Sequence, residues 1–323
     1  MPVKNAGPYL KPCIDSIRAQ SFNNWELIAI NDNSTDGSDE VLEEYTQLDK
    51  RMITAHSKGT GIVAALQTGY ALSSGNWIHR MDADDLMPVN KLEKMISVAA
   101  QGAVVTGKVK YFCDEYEVGN GFRKYEGWLN GLMEGGEFWR DAFIECSIPS
   151  SAWMIDRTDF ERIGGFKSSL MPEDYDLSFR IMEHKLDVIK IQEVIHFWRD
   201  SSSRTSRNEE QYFPMAYLPL KVHYFLKLYR TEKKSLVLWG AGKKGKQVAK
   251  ELIERNVPFD WITGNINKVG KDIYGVVLQD EEVIKDENIQ IILALSSPKE
   301  QCVIQKRLNG MNKNQNKDYF WFF

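Results

Sequence analysis

Three aspartates, Asp82, Asp84 and Asp85, stand within four positions in the stretch RMDADDLMP, just after the apolar step Trp77-Ile78. Like charges that close raise one another's pKa and repel, so the cluster is unfavourable unless a cation or hydrogen-bond donors meet it. An Asx-rich turn capping a helix that starts near Pro88 accounts for one aspartate, or two. A hard divalent cation with oxygen ligands accounts for the whole cluster. A second acidic pair, Glu173-Asp174 in MPEDYDLSFRI, opens a helical segment, where carboxylates favour the dipole and are rigidly presented. Asp32 closes the apolar run Leu27 to Ile30 inside the turn-forming stretch NDNSTDGS. In HFWRDSSSRTS, Arg199 offers a fork that matches phosphate oxygens, whereas His196, between Ile195 and Phe197, suits a packed core position as well as a ligand.

The elements that must position these residues alternate. A turn and an amphipathic helix with Leu10, Cys13, Ile14 and Ile17 on one face precede the strand Leu27 to Ile30, and SDEVLEEYTQL then reads as a helix. A strand around Met52 to Ala55, the helical GIVAALQTGYALS and the strand NWIHRM continue the pattern. Alternation with short polar loops means a largely parallel sheet covered by helices, and such sheets bind ligands at the carboxyl ends of their strands. Both NDNSTD and DADD fall at such ends. From about residue 103 the pattern loosens into a Gly- and aromatic-rich region containing Trp128, Trp139 and Trp153, side chains suited to stacking on sugar rings or to a core. Met215, Leu218, Val222, Phe225 and Tyr229 are spaced for a helix, with Pro214 and Pro219 kinking its start, before RTEKK introduces a fresh strand, SLVLW.

At 323 residues, two domains are expected. The net charge of -4 argues against a dedicated nucleic-acid surface. Four separated cysteines without a CxxC pairing fit reduced thiols in a cytosol, and no stretch has the length of a membrane span. The chain reads as soluble and cytoplasmic.

Taken in order, PVKNAGPYLKPCIDSIRAQSFNNWELIAINDNSTDGS, RMDADD, IGGF, PEDYDLSFRI and HFWRDSSSRTS resemble the family 2 glycosyltransferases, inverting enzymes of the GT-A fold. The resemblance covers roughly residues 1 to 206. It implies a nucleotide-sugar donor, usually UDP-linked, a Mn²⁺ or Mg²⁺ ion, and transfer to a hydroxyl of a glycan or lipid-linked acceptor in surface polysaccharide synthesis. A lipid-linked acceptor would be met at the inner face of the membrane. By the same resemblance Asp84 coordinates the metal, Asp82 lies near the donor ribose, and Asp32 accepts hydrogen bonds from the base. Pro2, Val3 and Ala83 line the donor, Arg199 faces the diphosphate and His196 joins the metal shell. Asp174 is the catalytic base, with Glu173 contacting acceptor or orienting a neighbour; Asp85 and Asp36 take capping or supporting roles. Family members begin with an apolar strand before the equivalent of PVKN. Here Met1 stands where that strand would end, so the recorded start is expected to be internal to a longer product; a chain beginning there would leave a gap in the sheet.

The remainder, KSLVLWGAGKKGKQVAKELIERN, is a strand, a glycine turn and a helix, with Gly240, Gly242 and Gly245 at the spacing of a dinucleotide fingerprint. The next strand ends in Gly264-Asn265 where an acidic ribose partner is expected. The expected architecture is therefore α/β throughout: a GT-A domain over 1–206 with a mostly parallel mixed sheet, a helical linker over 207–233, and a smaller Rossmann-like domain over 234–323. Its aromatic tail, DYFWFF, reads as a terminal strand or, if exposed, a docking patch for a partner or membrane surface. Two other functions fit these motifs: a pyridine-nucleotide enzyme centred on the second domain, and a non-catalytic nucleotide-sugar-binding protein.

Overall fold

A computed structural model describes residues 1–135, 137–167, 170–201 and 215–323. The expected boundary at 206/207, Pro214 and the end of the HFWRDSSSRTS motif lie outside the described residues. The chain forms two compact units, Met1–Phe138 with Ser147–Asn208, and Trp139–Cys146 with Glu209–Phe323.

The first unit opens with β1 (Pro2–Val3), α1 (Leu10–Arg18) and β2 (Leu27–Asn31), followed by α2 (Ser38–Leu48), β3 (Met52–His56) and α3 (Ile62–Leu72). These three strands form a parallel sheet in the order β1-β2-β3, and every residue of β2 is buried, as a strand covered on both faces requires. Leu10, Cys13, Ile14 and Ile17 of α1 pack on Ala29, Leu42 and Met81. Asp36 accepts from the Ser38 amide at the start of α2 and from the Gly7 amide, the supporting role expected of it.

The polypeptide continues through β4 (Trp77–His79), α4 (Lys91–Val98), β5 (Ala103–Phe112), α5 (Asn120–Glu134), β6 (Trp153–Asp156), α6 (Arg157–Arg162), α7 (Glu173–Glu183) and β7 (Asp187–Arg199). Here the sheet order is β4-β6-β5-β7, with β6 antiparallel to both neighbours and β5 parallel to β7. Among the described residues no pairing joins β1 to β4, so the unit carries two sheets where one continuous sheet is the family expectation. A cavity of about 700 Å³ lies there, lined by Met1, Leu27 and Ile28 on one side and Ile78, His79 and Arg80 on the other. The Met1 amino group donates to Ile28 O at 2.8 Å.

In the second unit, α8 (Leu218–Leu228) precedes β8 (Ser235–Trp239), α9 (Lys243–Glu254), β9 (Asp260–Ile262), β10 (Asp272–Ile273), β11 (Val276–Gln279), β12 (Ile289–Leu293), α10 (Pro298–Gly310) and β13 (Tyr319–Trp321). The strand order is β10-β11-β9-β8-β12-β13, parallel except for the β10/β11 pair. A Cβ on Gly245 would come within 1.9 Å of Gly240 O, so the glycine turn permits a backbone approach that no side chain tolerates. The aromatic tail is a buried edge strand rather than an exposed patch: Tyr319, Phe320, Trp321 and Phe322 are all buried. Residues 139–146, which sequence order assigned to the first domain, belong to this unit. Phe143 stacks on Phe322 at 5.4 Å between ring centres, and Lys221 of α8 donates to Ile144 O at 2.8 Å.

Candidate active site

The strand β4 delivers Arg80 to its carboxyl end with a side chain only 5 % exposed. Its Nε and Nη2 lie 3.0 and 2.9 Å from Asp82 Oδ1, while Nη1 donates to Glu173 Oε1 at 2.9 Å. Ser150 Oγ donates to the other Asp82 oxygen at 3.1 Å. Burial pushes the Asp82 carboxyl up, but the Arg80 charge and the Arg80 hydrogen bond outweigh it and hold the group at about 2. One arginine thus joins the aspartate cluster to the start of α7, two motifs 93 residues apart in sequence.

At that helix start Asp174 is half-buried, and its Oδ1 accepts from the Tyr175 amide at 2.8 Å. Burial first, and the Glu173 charge next, raise its carboxyl to about 7; Arg80 works in the opposite direction. Such a group is poised to take a proton near neutrality. Glu173 itself is buried, and among the described residues its Oε2 has no hydrogen-bond partner.

The other half of the cluster is gripped by β7. Asp85, 1 % exposed, accepts from the Arg199 amide at 2.8 Å and pairs with His196 Nε2 at 2.8 Å. His196 Nδ1 faces Lys91 Nζ at 3.2 Å, and Lys91 donates to Ser151 O at 2.7 Å. Burial, partly offset by Asp85 and Asp82, brings the Lys91 ammonium down to about 7. Both ring nitrogens of His196 are engaged in this fully buried chain, where the histidine anchors the loop from behind. A register irregularity at Gly107-Lys108 sets it opposite Val109 of β5.

Arg199 Nε donates to Asp84 O at 2.6 Å, Nη1 pairs with Asp114, and the guanidinium lies over the rings of Tyr9 and Phe112 at 4.6 and 4.5 Å. Two nitrogens of its fork thus engage Asp114 and the aspartate loop. Asp84 is half-buried at the loop, and Ala83 beside it is buried. Among the described residues no group of three or more His, Cys, Asp or Glu is placed to hold a metal ion.

Asp32, 2 % exposed, sits at the end of β2, where both its carboxylate oxygens receive the Gly61 amide at 3.2 and 3.0 Å. Its own amide donates to Val3 O at 2.7 Å, and Lys4 Nζ stands 3.8 Å from Oδ2. Pro2 and Val3, in β1, lie alongside Ile30 and Asn31. Cys13 Sγ reaches Asp82 O at 3.4 Å and Met1 Sδ at 3.8 Å, so α1 brings β1 to the aspartate loop.

Trp153, a candidate sugar platform, is 1 % exposed in β6 and stacks on Phe160 in the core. Trp128 is half-buried against Tyr125, and Trp139 falls in the second unit. Sequence reasoning passed over Arg80, Lys91 and Ser150. The one available signal was Arg80 itself, a charge at the end of an apolar strand two residues before a carboxylate.

A family described as glycosyl transferase family 2 matches residues 1–164. Glycosyltransferase GlyA of Streptococcus pneumoniae is 29% identical over 150 residues, which are 46% of this chain and 20% of that protein. The putative glycosyltransferase EpsE of Bacillus subtilis is 26% identical over 230 residues, 66% of this chain and 76% of its own length. Several such relatives are matched over less than half their length. Among solved structures, the mannosyltransferase PcManGT from Pyrobaculum calidifontis, in complex with GDP-Man and Mn²⁺, superposes with a TM-score of 0.53 at 16% identity, covering 77% of this chain and 66% of that one. TarS of S. aureus, residues 1–349 in complex with UDP-GlcNAc, gives 0.53 at 14%, covering 78% and 70%. These likenesses establish the mixed α/β GT-A fold, and with the match over half its length the chain belongs to glycosyl transferase family 2.

Proposed function

We propose that this chain is an inverting glycosyltransferase that moves a sugar from a nucleotide donor, a UDP-sugar, to a hydroxyl of a glycan or lipid-linked acceptor in surface polysaccharide synthesis. The observation that carries the reading is the pairing of unlike carboxylates on one arginine: Asp82 held ionised on one side, and Asp174, raised to about 7, beside Glu173 on the other. Environments that drive neighbouring carboxyls apart in this way separate a charged binding group from a base.

Asp174 takes the proton of the acceptor hydroxyl as its oxygen attacks the anomeric carbon and the bond to the diphosphate breaks, leaving negative charge on the departing nucleotide. Its tie to the Tyr175 amide fixes the carboxyl and leaves the second oxygen for that proton. Asp32 and Asp82 receive base and ribose, with Pro2, Val3 and Ala83 alongside. Mg²⁺-type ions are commonly held by one or two carboxylates plus substrate phosphates, and half-buried Asp84 fits that donor set. When bound there, Mn²⁺ or Mg²⁺ supplies neutralisation of the charge that develops on the leaving diphosphate. The second unit, with its parallel sheet and glycine turn, reads as a Rossmann-like domain that binds a nucleotide or nucleotide-sugar or serves a structural docking role.

The test is a panel of nucleotide sugars with Mn²⁺, with release of the nucleoside diphosphate as readout. Release by the wild-type protein that is lost in both Asp84→Ala and Asp174→Asn supports transfer; stabilisation by NAD(H) with no release from any donor overturns it.

A further inference from the structure

The aspartate loop and the start of α7 come from different elements, yet sugar transfer needs donor and base held in one geometry, since a displacement of about 1 Å can cost a hundredfold in rate. Among the described residues Arg80 bridges them. Its stem is buried, and three of its nitrogens are committed, two to Asp82 Oδ1 and one to Glu173 Oε1. No lysine reproduces this: an ammonium is a point donor, whereas a planar guanidinium can serve two carboxylates in fixed directions at once. Ser150 on the far oxygen of Asp82 stops that carboxylate from swinging away. Among the described residues, the charged groups that act on Asp174 are Glu173 on its own helix and, from the loop after β4, Arg80 and Asp82. Arg80 is the one cation among them.

Resting on the glycosyl-transfer reading, we propose that Arg80 is a positioning residue of the reaction: its fork locks the donor-side carboxylate Asp82 to Glu173 and so fixes the place and ionisation of the neighbouring base, Asp174. A purely structural ion pair would change stability alone. A positioning residue changes the base.

Two variants and two readouts separate these. In the ligand-free protein, the Asp174 carboxyl is titrated by ¹³C NMR of aspartate-labelled chain, its signal identified by loss in Asp174→Asn. Arg80→Met should raise the midpoint, by about 1 to 3 pH units, because the opposite charge is gone. Arg80→Lys should leave the midpoint nearer that of wild type. With UDP-glucose and UDP-N-acetylglucosamine as probes and UDP release as readout, the acid limb in Arg80→Met should move upward in step. Arg80→Lys, charged but without the fork, should lose tenfold or more in kcat with little change in donor KM. Should Arg80→Met fail to fold for want of a cation among buried carboxylates, Arg80→Met with Glu173→Gln is titrated against Glu173→Gln alone, because Glu173 itself raises the Asp174 midpoint, and Arg80→Lys decides the kinetic arm. A wild-type midpoint in Arg80→Met, or a wild-type kcat in Arg80→Lys, overturns the proposal. Absence of UDP release in the wild-type protein counts against the transferase reading, while the NMR titration still judges the control of Asp174 by Arg80.

Discussion

Replacing Asp174 by Asn should slow sugar transfer and, above neutral pH, stabilise the fold. The Asp174 carboxyl, ordinarily at 3.8, lies at about 7 because it is buried and because Glu173 stands beside it. In the unfolded chain the same group ionises near 3.8, so between about pH 4 and pH 7 the folded protein holds a proton that the unfolded chain releases. Stability therefore falls as pH rises through this window, and the whole cost is present at pH 8. Moving a carboxyl that far corresponds to about 4 kcal/mol, an upper limit because Asp174 is half-buried and water screens part of the field. Asn carries no charge and escapes the cost. Urea denaturation of both proteins at pH 5, 6, 7 and 8 should show the advantage of Asp174→Asn growing by about 1.4 kcal/mol per pH unit and levelling off above pH 7. Diphosphate release from a UDP-sugar should fall by about 10² to 10⁴ in the variant, the usual contribution of a general base. In the wild-type protein that release should lose about tenfold per pH unit below 7. A stability difference that is constant with pH, or an acid limb at an ordinary carboxylate value, would refute the reasoning.

On the proposed reading, in which Asp84 supplies a carboxylate to a divalent ion, Asp84→Ala should weaken Mn²⁺-dependent binding of UDP by at least about tenfold in calorimetry. Its melting temperature should barely move, because Asp84 is half-buried and Arg199 holds its backbone carbonyl. Lys91→Met removes the buried ammonium that faces the His196–Asp85 pair; a loss of about 3 to 5 kcal/mol is expected from urea midpoints, partly recovered by adding Asp85→Asn. Gly245→Ala drives a Cβ into Gly240 O, which is backbone and cannot turn aside, so residues 215–323 should become sensitive to limited proteolysis at a cost of about 3 kcal/mol or more, while UDP binding persists.

Much of the architecture was legible because local pattern and tertiary demand agree. The apolar run Leu27–Ile30 lies in a strand, Leu27–Asn31, buried on both faces, and the apolar stripe of α1 is its cover. The aspartate cluster was legible as chemistry for the same reason that it is costly: three carboxylates in four positions need company. Other readings depended on context that a linear pattern does not carry. His196 looks alike as a ligand and as a core residue until Asp85 and Lys91 close on both its nitrogens. The tail DYFWFF reads equally as a terminal strand or a docking patch until β12 offers it an edge. Residues 139–146 follow the first unit in sequence and join the second because Phe143 finds its ring partners there.

By itself, the order of residues determined the α/β alternation, the acidic turns at strand ends and the family to which they belong, since each is written in spacing over a few residues. Which charges meet was decided only in three dimensions. Arg80 and Glu173 are 93 positions apart, and Asp85 and His196 are 111 apart. The ionisation of Asp174 follows from those meetings, because a carboxyl responds to the water it loses and the charges it faces, and neither is a property of its neighbours in the chain.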